Sequence, residues 1–263
     1  MVYLMKNKLV LLLTILLMQL FTFKSIHAAQ TKAPKNSENV AQEDLNPNHY
    51  FLPEKSPLKK ILNKIFLNPQ VLKNKTTFHA AGFQTVFFRK QTNNLRIAKH
   101  PLLPGYLFKL YLKEERVLPF QEEQVGLIRR AFIASEIRKI VQQHKLTSIT
   151  VADKWIYKLP QYKGEKAQTT YVLVVKDMQL AKRSKSEKMW RDKATRAQLR
   201  ELHHILGAGY ASASIVRNIP YTKSKKFACI DTEYSKQQFP LKKLKRHFSR
   251  KNKKRWKKIC NGK

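Results

Sequence analysis

Asn218 and Asp231 stand thirteen positions apart, at the outer ends of two short apolar runs, Ile219-Pro220-Tyr221 and Phe227-Ala228-Cys229-Ile230. Between the runs lies Thr222-Lys223-Ser224-Lys225, so the pattern predicts a hairpin with Asn218 and Asp231 together at its open end. An amide oxygen and a carboxylate brought together suit a hard divalent cation such as Mg²⁺, which takes few protein ligands and fills the rest with phosphate oxygens. Glu233 follows Asp231 by two residues, and in extended chain the two carboxylates share a face. Asn218, Asp231 and Glu233 are therefore the candidate metal ligands. Each motif also has a plain local use: Asp231-Thr232 as an Asx turn that ends a strand, Asn218 as the cap of a turn.

Other chemistries lack their residues. His203 and His204 are adjacent, and adjacent side chains on a helix diverge, which is poor spacing for one metal. There is no HExxH zinc motif and no G-x-S-x-G elbow around Ser212 or Ser214. Only two cysteines occur, so the chain is not a disulfide scaffold. Cys229, inside its apolar run, reads as a buried strand residue, and a bridge to Cys260 is left open.

The elements that must position these residues follow from hydrophobic period. Leu58, Ile61, Ile65 and Leu67 predict a short helix. Residues 78–90, with the run 84–88, and residues 105–112, with the alternating run 106–112, predict a strand-rich stretch, and Pro101 and Pro104 mark a loop between them. From Glu122, apolar residues recur at helical spacing through Val125, Ile128, Phe132, Ile133, Ile137 and Ile140 to about Gln143. Residues 148–159 and 169–175 predict further strands and 182–193 a charged loop. A helix is expected from about Trp190 to Leu206, with Gly207 as its stop. Strands, helix, strands, helix and hairpin make an α+β chain, β-rich in its N-terminal part and helix-containing in its C-terminal part.

In this order of elements, Asn218-Ile219 and Ile230-Asp231-Thr232-Glu233-Tyr234 resemble the end of the catalytic region in the protein-kinase-like superfamily. The likeness is greatest to its branch of choline and aminoglycoside kinases, which carry an Asn-Ile pair, a short hairpin and Ile-Asp-x-Glu. The resemblance implies a two-lobed kinase-like arrangement with Mg²⁺ and ATP as cofactors. It gives Lys109, in Leu107-Phe108-Lys109-Leu110, the role of the strand lysine that holds nucleotide phosphates. The helix from Glu122 becomes the regulatory helix, with Glu136 or Glu122 as partner of Lys109, and residues 169–180 the strand and hinge against which adenine packs.

Two motifs depart from that pattern. The family places a catalytic Asp five residues before the Asn, where this chain has Ala213, and residues 210–214 hold no acid or His. Before Lys109, Ala81-Gly82 is all that remains of a glycine-rich phosphate loop. Phosphoryl transfer rests mainly on positioning and electrostatics. The resemblance thus implies a phosphotransferase, active or degenerate, that binds Mg-nucleotide or another phosphate-bearing ligand, its phosphoacceptor a small molecule or a protein.

The chain's address and charge suggest a second class. Lys6 and Lys8, the apolar run from Leu9 to Phe23 and the small-residue exit at Ala28-Ala29 predict a cleavable signal over residues 1–29. The expected product is secreted or periplasmic, or membrane-anchored if uncleaved. A polar linker over 30–57, a globular part over 58–240 and a basic tail over 241–263 follow. Net charge is +36; loss of Lys6, Lys8 and Lys24 with the signal leaves +33. Such a surface attracts polyanions. The tail holds twelve Lys or Arg and no acid, with Phe248 and Trp256 interleaved. That pattern suits phosphate backbones with stacked bases, or an anionic lipid surface. The alternative function is therefore a non-enzymatic basic protein binding nucleic acid or an anionic membrane.

Overall fold

The computed structural model describes residues 46–88, 94–162, 170–210, 214–232 and 241–262. The expected signal, the linker as far as residue 45, Ala213 and Glu233 lie outside the described residues. The last part of the expected linker belongs to the fold. Asn46 caps a 3-10 turn at Pro47–Tyr50, its side chain accepting from the Asn48 amide, and the Leu52 amide donates to the Ile156 carbonyl at 2.9 Å.

Helix α1 (Pro57–Ile65) begins on a proline, whose fixed φ suits the first helical position, and buries Leu58 and Leu62. Helix α2 (Lys75–Ala80) begins with a reciprocal capping box between Asn74 and Thr77. Strands β1 (Gln84–Phe88), β2 (Arg96–Lys99) and β3 (Tyr106–Leu110) follow. The chain then forms α3 (Phe120–Gln143), β4 (Ile149–Val151), β5 (Lys154–Lys158) and β6 (Tyr171–Lys176). Five strands make an antiparallel sheet in the order β1-β2-β3-β6-β5, while β4 pairs in parallel with β7 (Phe227–Cys229). The α+β expectation holds.

The strand period of two assigns the sheet's faces. Phe108, Leu110, Val172, Val174 and Tyr157 share one core cluster with Leu58, Leu62, Phe66 and Phe78. Leu173, Val175 and Ile156, on the other face, pack with Leu127, Ile128 and Ala131 of α3. Lys109 pairs with Ile97 on one side and Leu173 on the other, so it projects on the α3 face. Lys154, two residues before Ile156, projects on the same face.

Farther along, α3 enters a third cluster. Ile133, Ala134 and Ile137 pack with Leu199, Leu202 and Ile205 of α5 (Arg196–Gly207), numbered after α4 (Arg183–Lys188). Lys145 ends α3 in the left-handed region at φ 50°, and the Leu146 amide reaches back to the Val141 carbonyl at 2.9 Å. α5 ends at Gly207, and the left-handed turn beyond it falls at Gly209 (φ 91°), with the Tyr210 amide donating back to the Ile205 carbonyl.

Two expectations change in this region. Residues 183–193 are helical rather than a loop: α4 runs into a wider turn at Met189–Lys193 around the buried ring of Trp190, whose Nε1 donates to the Ile219 carbonyl at 2.8 Å. The basic segment after residue 240 is built into the core. It forms a 3-10 helix (Leu241–His247) and, after α6 (Ile215–Asn218), the last helix α7 (Arg250–Cys260). Leu244, Phe248, Trp256 and Ile259 join the third cluster, and Trp256 Nε1 donates to the Leu241 carbonyl at 2.9 Å. Both aromatic rings are thus enclosed and do not present a stacking surface. Among the described residues no helix is long and apolar enough to cross a membrane.

Candidate functional site

The site arises where the two sheets meet. β4 leads directly into β5, and β7 runs parallel to β4 with Val151 opposite Cys229. Residues leaving β7 therefore pass the start of β5, where Lys154 projects. Its Nζ donates to the Ile230 carbonyl at 3.0 Å and to Thr232 Oγ1 at 2.6 Å. Thr232 Oγ1 in turn donates to the Arg130 carbonyl of α3 at 2.6 Å. These bonds tie β5, α3 and the segment after β7 into one unit.

Asp231, held between Ile230 and Thr232, turns toward the sheet. Its Oδ1 lies 3.8 Å from Lys109 Nζ and 3.8 Å from Arg130 Nε. The Lys109 and Arg130 side chains are 10% and 2% exposed, whereas Asp231 is 28% exposed. The cations sit deep, and the carboxylate marks the open side of the cluster. Burial first, then the neighbouring Lys109 charge, pull the Lys154 pKa well below the usual lysine range; Asp231 opposes that shift and Arg130 adds to it. Beside it, burial pushes the Cys229 thiol up to about 12, so this cysteine is not a thiolate nucleophile.

The expected hairpin forms as a ladder of alternate bonds. Thr222 donates to the Lys226 carbonyl at 2.8 Å, Ala228 to Pro220 at 2.9 Å and Ile230 to Asn218 at 2.9 Å. Asn218 thus stands at the open end, its backbone bonded to the residue before Asp231, although it ends the short helix α6 rather than a strand. Lys109 and Asp231, 122 positions apart, come together, whereas the partner expected for Lys109 was Glu136 or Glu122. Glu233 and Ala213 fall outside the described residues.

The helical acids behave differently. Glu122 is exposed in the first turn of α3. Glu136 accepts from Lys139 Nζ at 2.7 Å, and its charge joins burial in raising the Tyr210 hydroxyl to about 12. Six residues separate Glu136 from Arg130, about 240° around the helix, so the face toward Lys109 carries a guanidinium. Gly82 turns the chain after α2 at φ 91°, and a Cβ there would stand 2.9 Å from His100 Nε2.

Arg130 and Lys154 are the site residues that sequence reasoning missed. Their signals were small. Arg130 is a charge three residues from both Leu127 and Ile133, inside the apolar stripe, and Lys154 keeps strand alternation with Ile156. Among the described residues no group of three or more His, Cys, Asp or Glu is arranged to hold a metal. A Mg²⁺ ion on Asp231 would share one oxygen with Lys109 and Arg130, a donor set that suits an anion better than a second cation.

No family model matches the chain, and no curated protein matches it.

Proposed function

We propose that this chain is a kinase-like, two-lobed domain that binds a nucleotide or another phosphate-bearing ligand at Lys109, beside Asp231, without the base that the family places at Ala213. The observation that carries the reading is the 3.8 Å approach of Lys109 to Asp231, which lie 122 positions apart in the chain. A strand lysine buried on the helix-covered face of an antiparallel sheet, meeting the acid that follows a hairpin, is the arrangement the resemblance implies. Lys109 would take phosphate oxygens from the solvent-open side, where Asp231 is exposed. The protein is a degenerate phosphotransferase on this reading. Thermal unfolding with ATP, with and without Mg²⁺, tests it: a rise in Tm for the wild type that Lys109→Met diminishes is expected. No rise, or an equal rise in the variant, overturns it.

A second reading rests on α7. Lys251, Lys254, Lys257 and Lys258 are exposed on a helix whose opposite face is locked into the core. We propose that this rigid basic face binds an anionic partner, nucleic acid or anionic lipid, through charge alone. Binding should then weaken steeply as salt rises, and charge-reversal of these lysines should remove it. Affinity insensitive to both would exclude it.

A further inference from the structure

We infer that the phosphate-bearing ligand of the Lys109 site is held without a divalent cation, the Arg130 guanidinium supplying the positive charge that a metal would bring. This rests on the phosphate-binding reading above and sharpens it. Arg130 is buried in the middle of α3, and its Nε stands 3.8 Å from the carboxylate oxygen on which a metal would sit. A guanidinium does not lose its proton in a protein, so this charge is permanent.

Its position is also fixed. The carbonyl of Arg130 accepts from Thr232 Oγ1 at 2.6 Å, and Thr232 accepts from Lys154 Nζ at 2.6 Å. The helix therefore cannot carry Arg130 away without breaking a buried chain of bonds. Lys109 Nζ approaches the same Asp231 oxygen at 3.8 Å. A divalent ion there would meet two unit charges at short range, which costs free energy in a partly desolvated site. A phosphate entering from the exposed side of Asp231 meets the opposite situation. It is attracted by an ammonium and by a guanidinium, whose Nη1 also donates to the Gly126 carbonyl at 3.4 Å, against the single charge of Asp231. Glu136, the acid expected to face Lys109, instead bonds to Lys139, so the helix contributes a positive side chain where a negative one was expected.

The test is calorimetric titration of the full chain with ATP, once in EDTA and once in Mg²⁺, at about 0.3 M salt to screen the exposed basic surface. Wild type, Arg130→Gln and Arg130→Lys are compared, with circular dichroism confirming that each is folded. The expected result is equal or tighter binding in EDTA, an approximately tenfold loss in Arg130→Gln and a smaller one in Arg130→Lys. Binding that requires Mg²⁺ overturns the metal-free inference and leaves the Lys109 reading standing. Unchanged affinity of Arg130→Gln in EDTA overturns it likewise. No binding in either condition overturns both. Should Arg130→Gln fail to fold, the wild-type comparison of EDTA with Mg²⁺, together with Arg130→Lys, decides.

Discussion

Replacing Asp231 with Asn keeps the shape of the side chain and removes its charge, leaving Lys109 and Arg130 facing each other across the cluster. At 3.8 Å each pair has a Coulomb energy of about 4 kcal/mol at an effective dielectric near 20. Most of that is offset by the desolvation of the charges. Breaking a buried pair typically costs about 3–5 kcal/mol, and the 28% exposure of Asp231 lowers the expected loss to about 2–3 kcal/mol. For a chain of this size that is a fall in Tm of roughly 5–10 °C. Urea and thermal denaturation of Asp231→Asn, Lys109→Met and the double variant measure it. The double variant should lose less than the sum of the singles, with a coupling of about 1–2 kcal/mol. Inorganic phosphate should stabilise Asp231→Asn more than the wild type, because the anion enters where the carboxylate charge was. A loss below about 0.5 kcal/mol, or strict additivity, would refute the electrostatic reasoning, since distant independent sites behave that way.

Three further outcomes test other parts of the structure. Glu123 is buried against Arg116, Nε to Oε2 at 2.9 Å, and burial raises its pKa to about 7 against the opposing Arg116 charge. Its native pKa lies above the unfolded value, so its protonation adds stability that is fully present below pH about 4.5 and is lost as pH rises through about 7; Glu123→Gln should remove up to roughly 3 kcal/mol of that slope in urea titrations. A slope unchanged by the substitution would contradict it. Trp256→Ala should cost about 3–5 kcal/mol, because the ring is fully enclosed, whereas a detached basic tail would show almost no change in denaturation. Cys229 and Cys260 are both free. A thiol reagent should modify half-exposed Cys260 in the native state and reach Cys229 only after unfolding; equal rates would contradict the burial of Cys229.

Much of the frame was legible because the apolar period was unbroken. The long helix through Ile128, Ile133 and Ile137, the strand around Lys109 and the hairpin closing on Asp231 all carry local signals that agree with their surroundings. β2 was not legible. Arg96 lies within it, 5% exposed and bonded to Glu115, so a buried cation interrupts the apolar alternation. Residues 182–193 looked like a loop because their surface is almost entirely charged. The helix is specified instead by two buried points, Trp190 and Ser186, whose Oγ accepts from the Tyr221 amide. The basic segment after residue 240 misled in the same way: the charges dominate its composition, while four apolar side chains decide its place.

At the site, Lys109 and Asp231 were findable because each follows a local pattern, a strand and a hairpin end. Their charge partner was not. Helical spacing alone offers Glu122, Glu136 and Arg130 as candidates, and only the register of α3 against the sheet selects Arg130.

The most direct measurement is the stoichiometry and affinity of ATP binding by calorimetry for the wild type and Lys109→Met, at about 0.3 M salt so that the exposed basic face is screened. The expected result is a single site per chain, weakened about tenfold or more by Lys109→Met and unaffected by charge-reversal at Lys254. Binding at several equivalent sites, or one site indifferent to Lys109, would contradict the assignment of the cluster as a phosphate-binding site.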